Sequence, residues 1–314
     1  MYRVGIDIGG TQLRAAVFDE DLSIVERVQF SINKNKNAQE NLNPVIDAVN
    51  SFLPEKNSCL GIGIGCPGPL DFPAGKVLNP PNLYGWDNFE LVSWVEKKTG
   101  LAAVLNNDAN CAGLAEARAG AGKGMVSVFY ITVSTGIGGA FVYKGELVNG
   151  AHSSAGEVFN LIVCDDSYSH RGANAGSLNE VCGGNALARQ AEEIFGRPVD
   201  VKELYDELYI NKKNPKAVML IGKWFSNLAK SIANIACIVD PDVFIMGGSI
   251  ALKSERFFEI LTESVRPYLI HPETFIIEKA RLGEDAGLIG AALLVSERIP
   301  VSCPVQMKPN RTGY

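Results

Sequence analysis

No continuous basic track that could follow a nucleic-acid backbone occurs in this chain. Lys and Arg number 29 against 35 Asp and Glu, the net charge is −6, and basic clusters such as Lys212-Lys213 stop at two residues. Binding that relies on releasing counterions from phosphates needs such a stripe, so nucleic acid is not expected as a partner. Long apolar runs are lacking as well. The most apolar helical stretch, about Leu228 to Val239, is interrupted by Lys230, Ser231 and Asn234 and reads as a core helix, which argues against a membrane partner. The N-terminus enters a strand pattern at once, leaving no room for a secretory leader. The seven cysteines (59, 66, 111, 164, 182, 237 and 303) are scattered, and none forms a Cys-x-x-Cys pair. That excludes a zinc ribbon or a disulfide framework and predicts buried, reduced thiols in a cytoplasmic protein. Histidine is scarce: His152, His170 and His271 stand far apart without an evident carboxylate partner. No Gly-x-Ser-x-Gly turn occurs, which disfavours a Ser-His-Asp hydrolase.

What the chain does have is ordinary α/β composition, 46% hydrophobic and 20% charged, over 314 residues, enough for one large or two moderate domains. Its informative segments are glycine turns. In Gly5-Ile6-Asp7-Ile8-Gly9-Gly10-Thr11-Gln12-Leu13, apolar strands flank a turn without Cβ atoms, whose backbone N–H groups can approach a polyphosphate while Thr11 adds a hydroxyl. Asp7 is placed to hold a hydrated Mg²⁺ against those phosphates. An ordinary tight hairpin is the competing reading. Val128 to Tyr143 repeats the design around Ser134-Thr135-Gly136-Ile137-Gly138-Gly139. Two such hairpins half a chain apart predict a duplicated fold with phosphate turns facing one cleft. A third strand, Asp242 to Met246, runs into Gly247-Gly248-Ser249, as expected where a base or sugar rests on backbone.

The pattern predicts strands at about 3–8, 12–18 and 24–30, a helix near 38–53, the strand Leu60 to Ile64, a helix from Asn88 to Thr99 capped by Asn88 and stopped by Gly100, the strand Ala102 to Leu105, and a helix from Asp108 to about Ala119. Gly120 to Gly124 is the best linker and the expected hinge. Beyond it, a hairpin at 126–141 and a strand near 146–149 are followed by helices near 180–195, 200–209 and 215–239. A strand at 242–246, a helix near 253–269, a strand near 273–278 and a last helix from Ala286 to Arg298 complete the pattern. The expected division is 1–122, rejoined by the C-terminal helix at about 286–314, against 123–285.

Asn107-Asp108 stands where a strand yields to a helix, the usual place for ligand groups in an open α/β sheet. Asp108 either takes a proton from an attacking hydroxyl or caps the helix. Glu157, Asn179 and Glu180 offer carboxylates and amides that can each take sugar hydroxyls, or they are surface residues. Pro81-Asn82-Leu83-Tyr84-Gly85-Trp86 is a sugar wall or a simple loop.

Together, Asp7-Ile8-Gly9-Gly10-Thr11, Asn107-Asp108-Ala109-Asn110-Cys111, Ser134 to Gly139 and Gly247-Gly248 resemble the ROK family of repressors, open reading frames and sugar kinases, over about residues 3–297. The resemblance implies an α/β, actin/hexokinase-like fold, two ribonuclease-H-like domains closing on ATP, Mg²⁺ and a sugar, and a homodimer. It makes Asp108 the base. Gly9, Gly10, Thr11, Thr135 and Gly136 would cradle the phosphates, with Gly248 by the adenosine, and Gly68, Asn82, Asn107 and Glu157 would hold the sugar. The implied activity is phosphorylation of a hexose, glucose O6 first. β-Glucoside and N-acylhexosamine (N-acetylmannosamine) kinases are the alternatives, and polyphosphate is another possible donor. A family transcriptional regulator, which would need a helix-turn-helix ahead of the first turn, and a sugar-binding protein without catalysis are the rivals.

Two departures stand out. Family kinases usually carry Glu-x-Gly-His where this chain has Glu157-Val158-Phe159-Asn160. Ala175-Gly176-Ser177-Leu178-Asn179-Glu180 stands where Gly-Cys-Leu-Glu would be, and Cys164 and His170 alone cannot complete four ligands. No structural zinc is expected. Asn160 is then the neutral replacement for the sugar-contacting His, and either Asn179 or Glu180 the replacement for the family Glu.

Overall fold

The computed structural model describes residues 1–53, 58–80, 83–170, 172–205, 214–253 and 255–295. The first half contains β1 (Tyr2–Ile8), β2 (Gln12–Phe18), β3 (Ile24–Ser31), α1 (Ala38–Phe52), β4 (Cys59–Cys66), the small hairpin β5 (Leu70–Asp71) and β6 (Lys76–Val77), α2 (Leu91–Thr99), β7 (Ala103–Asn107) and α3 (Asp108–Arg118). The second contains β8 (Ser127–Val133), β9 (Ile137–Tyr143), β10 (Glu146–Leu147), α4 (Leu178–Cys182), α5 (Gly184–Phe195), α6 (Val201–Tyr205), α7 (Pro215–Val239), β11 (Val243–Gly247), α8 (Glu255–Val265), β12 (Ile277–Lys279) and α9 (Ala286–Leu294).

The two large sheets run β3-β2-β1-β4-β7 and β10-β9-β8-β11-β12. In each, an antiparallel meander of three strands is extended by two parallel ones. The halves are therefore one topology used twice, as the paired glycine hairpins predict. Both parallel strands next to the meander, β4 and β11, are buried on both faces, which is why their sequences read as unbroken small and apolar runs. Each half has its own core. Ile6, Ile8, Leu42, Ile46, Ile62 and Ile64 anchor the first, and Ile131, Leu187, Trp224, Leu228, Phe244 and Phe257 the second.

The halves exchange a helix. α9, at the end of the second half, lies across β1 and β4 of the first sheet, while α3, at the end of the first, lies across β8 and β9, and the two helices pack on each other. The contact is backbone against backbone. A Cβ built on Gly63 of β4 would collide with the carbonyl of Ala291, and one on Gly290 of α9 with the carbonyl of Cys111 in α3. Both covalent passages between the halves meet at Glu116, whose carboxylate is fully buried. Its Oε2 accepts from Ala121 N–H (3.0 Å), and its Oε1 accepts from Arg281 N–H (2.9 Å) and Leu282 N–H (2.8 Å).

Several sequence expectations move. α2 begins at Leu91, not Asn88. Asn88 instead turns the chain at φ 54°, a conformation its short amide tolerates, and donates its N–H to Leu78 O. Gly100 ends that helix in the left-handed region, as expected. The expected 180–195 helix is broken at Gly183, because the N–H groups of Gly184 and Asn185 are spent on the carbonyls of Ser134 and Thr135. The 253–269 helix gives way after Val265 to a 3-10 turn containing Pro267. The strand expected at 273–278 is only Ile277–Lys279. Asn82, the end of the 200–209 helix and the chain after residue 295 lie outside the described residues.

Candidate active site

A cleft of about 1360 Å³ opens between the halves, bounded by the carboxyl ends of β1, β4 and β7 on one side and the β8–β9 turn on the other. Asp7, Gly9, Gly68, Asn107, Asp108, Thr135, Gly136, Glu157 and Gly248 all line it. Residues from Asp7 to Gly248 thus face one another across a single cleft. Gly10 and Thr11 do not line it. They occupy the tip of the first turn, where Gly9 N–H bonds Gln12 O at 2.8 Å and the Thr11 side chain is exposed. Gly248, at φ 90°, sits so close beneath Val133 that a side chain there would meet its backbone.

At the β7–α3 junction the cap is Asn107, not Asp108. The Asn107 amide oxygen accepts from Ala109 N–H at 2.9 Å, which leaves Asp108 as the first helical residue. Asp108 Oδ1 also accepts from Ala109 N–H, at 2.9 Å. The surrounding protein lifts the Asp108 carboxyl to about 6, opposed by that N–H and reinforced by the negative field of Asp7. Burial lifts Glu157 to about 7, with the charge of Asp108 adding to it. Burial and the same carboxylates push the thiols of Cys66 and Cys111 well up, so both stay protonated and unreactive.

Asp7 is paired with Arg14, a residue the motif reading passes over. Arg14 Nε (3.1 Å) and Nη2 both donate to Asp7 Oδ2, and Nη1 donates to Glu284 O at 2.9 Å. Burial raises the Asp7 carboxyl, and Arg14 works against that rise. The signal was present in the hairpin: the turn sets Ile8 opposite Leu13, and hence Asp7 opposite Arg14. Gly283, Glu284, Ala286 and Gly287, at the start of α9, complete that wall, and Phe72, Tyr130, Thr132 and Phe159 also face the cleft.

The structure does not bring Asn160, Asn179 or Glu180 to the cleft. Asn160 Oδ1 accepts from Asn174 N–H at 2.6 Å, and its carbonyl accepts from Asn174 Nδ2, which closes the 161–177 loop. Its amide oxygen is therefore engaged within the loop. Asn179 and Glu180 lie behind the β8–β9 turn, bonded to each other at 2.9 Å. Among the described residues no three His, Cys, Asp or Glu side chains gather as a metal-ligand group, and no helix is long and apolar enough to cross a membrane.

The raised carboxyls carry a pH consequence. A carboxyl whose folded value lies above its unfolded one stabilises the fold fully below about 4, and that stability is lost as pH rises through 6 to 7. Asp108 and Glu157 both have this sign. Glu157→Gln should therefore stabilise the protein at pH 8 by about 1–2 kcal/mol once solvent screening is discounted, seen as a higher melting temperature, and change it little at pH 4.5. A calorimetric series from pH 4.5 to 8.5 checks this; an unchanged difference across the range would remove burial as the cause.

The ROK family sequence model matches residues 3–298. The chain is 32% identical to a β-glucoside kinase of Klebsiella pneumoniae, with 91% of this chain and 93% of that protein covered. A ROK hexokinase structure from Thermus thermophilus superposes with a TM-score of 0.85 at 36% identity, covering 93% and 97% of the two chains. A ROK glucokinase structure from Streptomyces griseus, in complex with glucose and AMPPNP, does so with a TM-score of 0.72 at 28% identity, covering 94% and 99%. The duplicated sheets, the exchanged helices and the carboxylate-lined cleft between them are the actin/hexokinase-like fold, and the chain belongs to the ROK family.

Proposed function

We propose that the protein is an ATP-dependent hexose kinase that phosphorylates a primary hydroxyl, with glucose O6 as the leading acceptor. One observation carries this reading: a carboxyl lifted to about 6 stands in a cleft lined by Gly9 from the first half's turn and by Ser134, Thr135 and Gly136 from the second half's. An acid so poised is ionised at neutral pH yet basic enough to take a hydroxyl proton as the oxygen attacks phosphorus. Asp108 is that base, with Asn107, Gly68 and Glu157 around the sugar. Gly9, Thr135 and Gly136 then lie on the phosphate side and Gly248 beneath the nucleoside.

Mg²⁺ suits the donor set, since Asp7 supplies one buried carboxylate, Arg14 fixes it through Oδ2, and the nucleotide supplies the other oxygens. Asp7, oriented by Arg14, would hold the ion, which would supply charge neutralisation for the phosphates. Closure of 1–122 with α9 onto 123–285, about residues 120–124, excludes the water that competes as acceptor. We also expect a cytoplasmic homodimer on family grounds.

A coupled ADP-release screen with glucose, mannose, fructose, N-acetylmannosamine, N-acetylglucosamine and cellobiose tests the reading. Glucose should give the highest kcat/KM. A cellobiose preference would select the β-glucoside reading, which the Klebsiella pneumoniae relative favours. ADP release no faster with any sugar than with water would sink the kinase reading.

A further inference from the structure

The β8–β9 turn is held from behind by a segment that the sequence assigns to the sugar. Asn179 Oδ1 accepts the N–H of Ile137 at 3.0 Å, and its Nδ2 donates to Glu180 Oε1 at 2.9 Å, so both ends of the amide are engaged. Two further bonds fasten the same two segments, Gly184 N–H to Ser134 O (2.8 Å) and Asn185 N–H to Thr135 O (3.0 Å), and Ser134 N–H to Gly136 O (2.9 Å) closes the turn itself. The fit leaves no slack, since a Cβ built on Gly136 would lie 2.8 Å from Asn179 Oδ1. Glu180 is buried, and neither it nor Asn179 lines the cleft, whereas Thr135, Gly136 and Ile137 do.

We propose that Asn179 is a positioning residue for the nucleotide phosphates: it fixes the Gly136–Ile137 backbone from beneath and does not touch the sugar. The proposal rests on the reading of the β8–β9 turn as a phosphate cradle. Physically, a backbone cradle binds well only if its N–H groups are already aimed, because ordering them on binding costs affinity. An amide that takes the Ile137 N–H fixes which turn N–H groups remain for the ligand. A side chain in this role affects one substrate and spares the other.

The test is ADP binding by calorimetry without sugar, combined with KM for ATP and for the active sugar. Asn179→Ala should weaken ADP and raise KM for ATP about tenfold, while KM for sugar stays within twofold. A rise in the sugar KM with ATP unaffected would make Asn179 a sugar ligand. Equal changes in both constants, or none, would also overturn the proposal. Gly136→Ala gives a second measure that does not depend on how well one variant folds. It should cost ADP affinity in the native background and distinctly less beside Asn179→Ala, as expected for two residues in contact. Additive losses would reject it. Failure of the kinase reading itself appears elsewhere, in native protein that binds ADP and phosphorylates no sugar; native protein that does not bind ADP overturns both.

Discussion

Asp108→Asn should lower kcat at least 100-fold while leaving the affinity for sugar within a few-fold. The substitution keeps size and hydrogen-bonding shape, and the helix cap is not at stake because Asn107 supplies it. What disappears is the capacity to accept a proton, which general-base catalysis values at about 10²- to 10⁴-fold. The pH profile of the native enzyme gives a matching expectation. With the carboxyl lifted to about 6, activity should be level above about pH 7 and fall about tenfold per pH below 6, as the base becomes protonated. That limb should be missing from the residual activity of the variant. Stopped-flow or coupled-assay kinetics from pH 5 to 8.5, with sugar binding followed separately, measure both. Turnover near the native rate would remove Asp108 from the chemistry, and an acid limb that survives the substitution would assign the titration to another group.

Gly290→Ala is expected to be, with Gly63→Ala, among the most damaging single methyls at the described residues. The built Cβ falls onto the carbonyl of Cys111, and this is backbone on both sides, so no side chain can rotate out of the way. Gly290 is itself buried, in a helix of apolar composition pressed between the first sheet and α3. Overpacking of a tight core costs about 1–3 kcal/mol and more where neighbours cannot yield. Here a cost of about 3 kcal/mol or greater is expected, equal to a loss of roughly 4–5 °C or more in melting temperature for a chain of 314 residues. Because α3 starts at Asp108, the displaced helix should also lower kcat. A control at Gly222, where a Cβ would meet nothing within 4 Å, should change the melting temperature little or raise it. Comparable melting temperatures for the two variants would show that α3 and α9 slide apart without cost.

The repeated hairpins were legible because a glycine turn between apolar strands leaves a local signature, and duplication makes it recognisable a second time. The Leu60–Ile64 strand, the 215–239 helix with Pro215 at its first turn, and the crossing of the last helix onto the first sheet were also legible. Arg14 was readable in principle, since the hairpin register alone sets it opposite Asp7. The positions of Asn160 and Asn179 were not. Both stand where the family resemblance implies a sugar contact, but a side chain's target depends on what the loop packs against. Here Asn174 and Ile137 take those amides. Glu116 was equally hidden, because a buried acid that accepts backbone N–H groups from the loop just after its helix and from distant residues 281–282 has no sequence pattern.

That acid has a mechanical corollary. With both chain passages fastened to a single carboxylate, sliding of one lobe along the other would break three N–H bonds at once, whereas turning about that point strains none of them much. Closure of the lobes is therefore expected to turn about Glu116 and the packed α3–α9 pair, with the largest displacement at the cleft mouth.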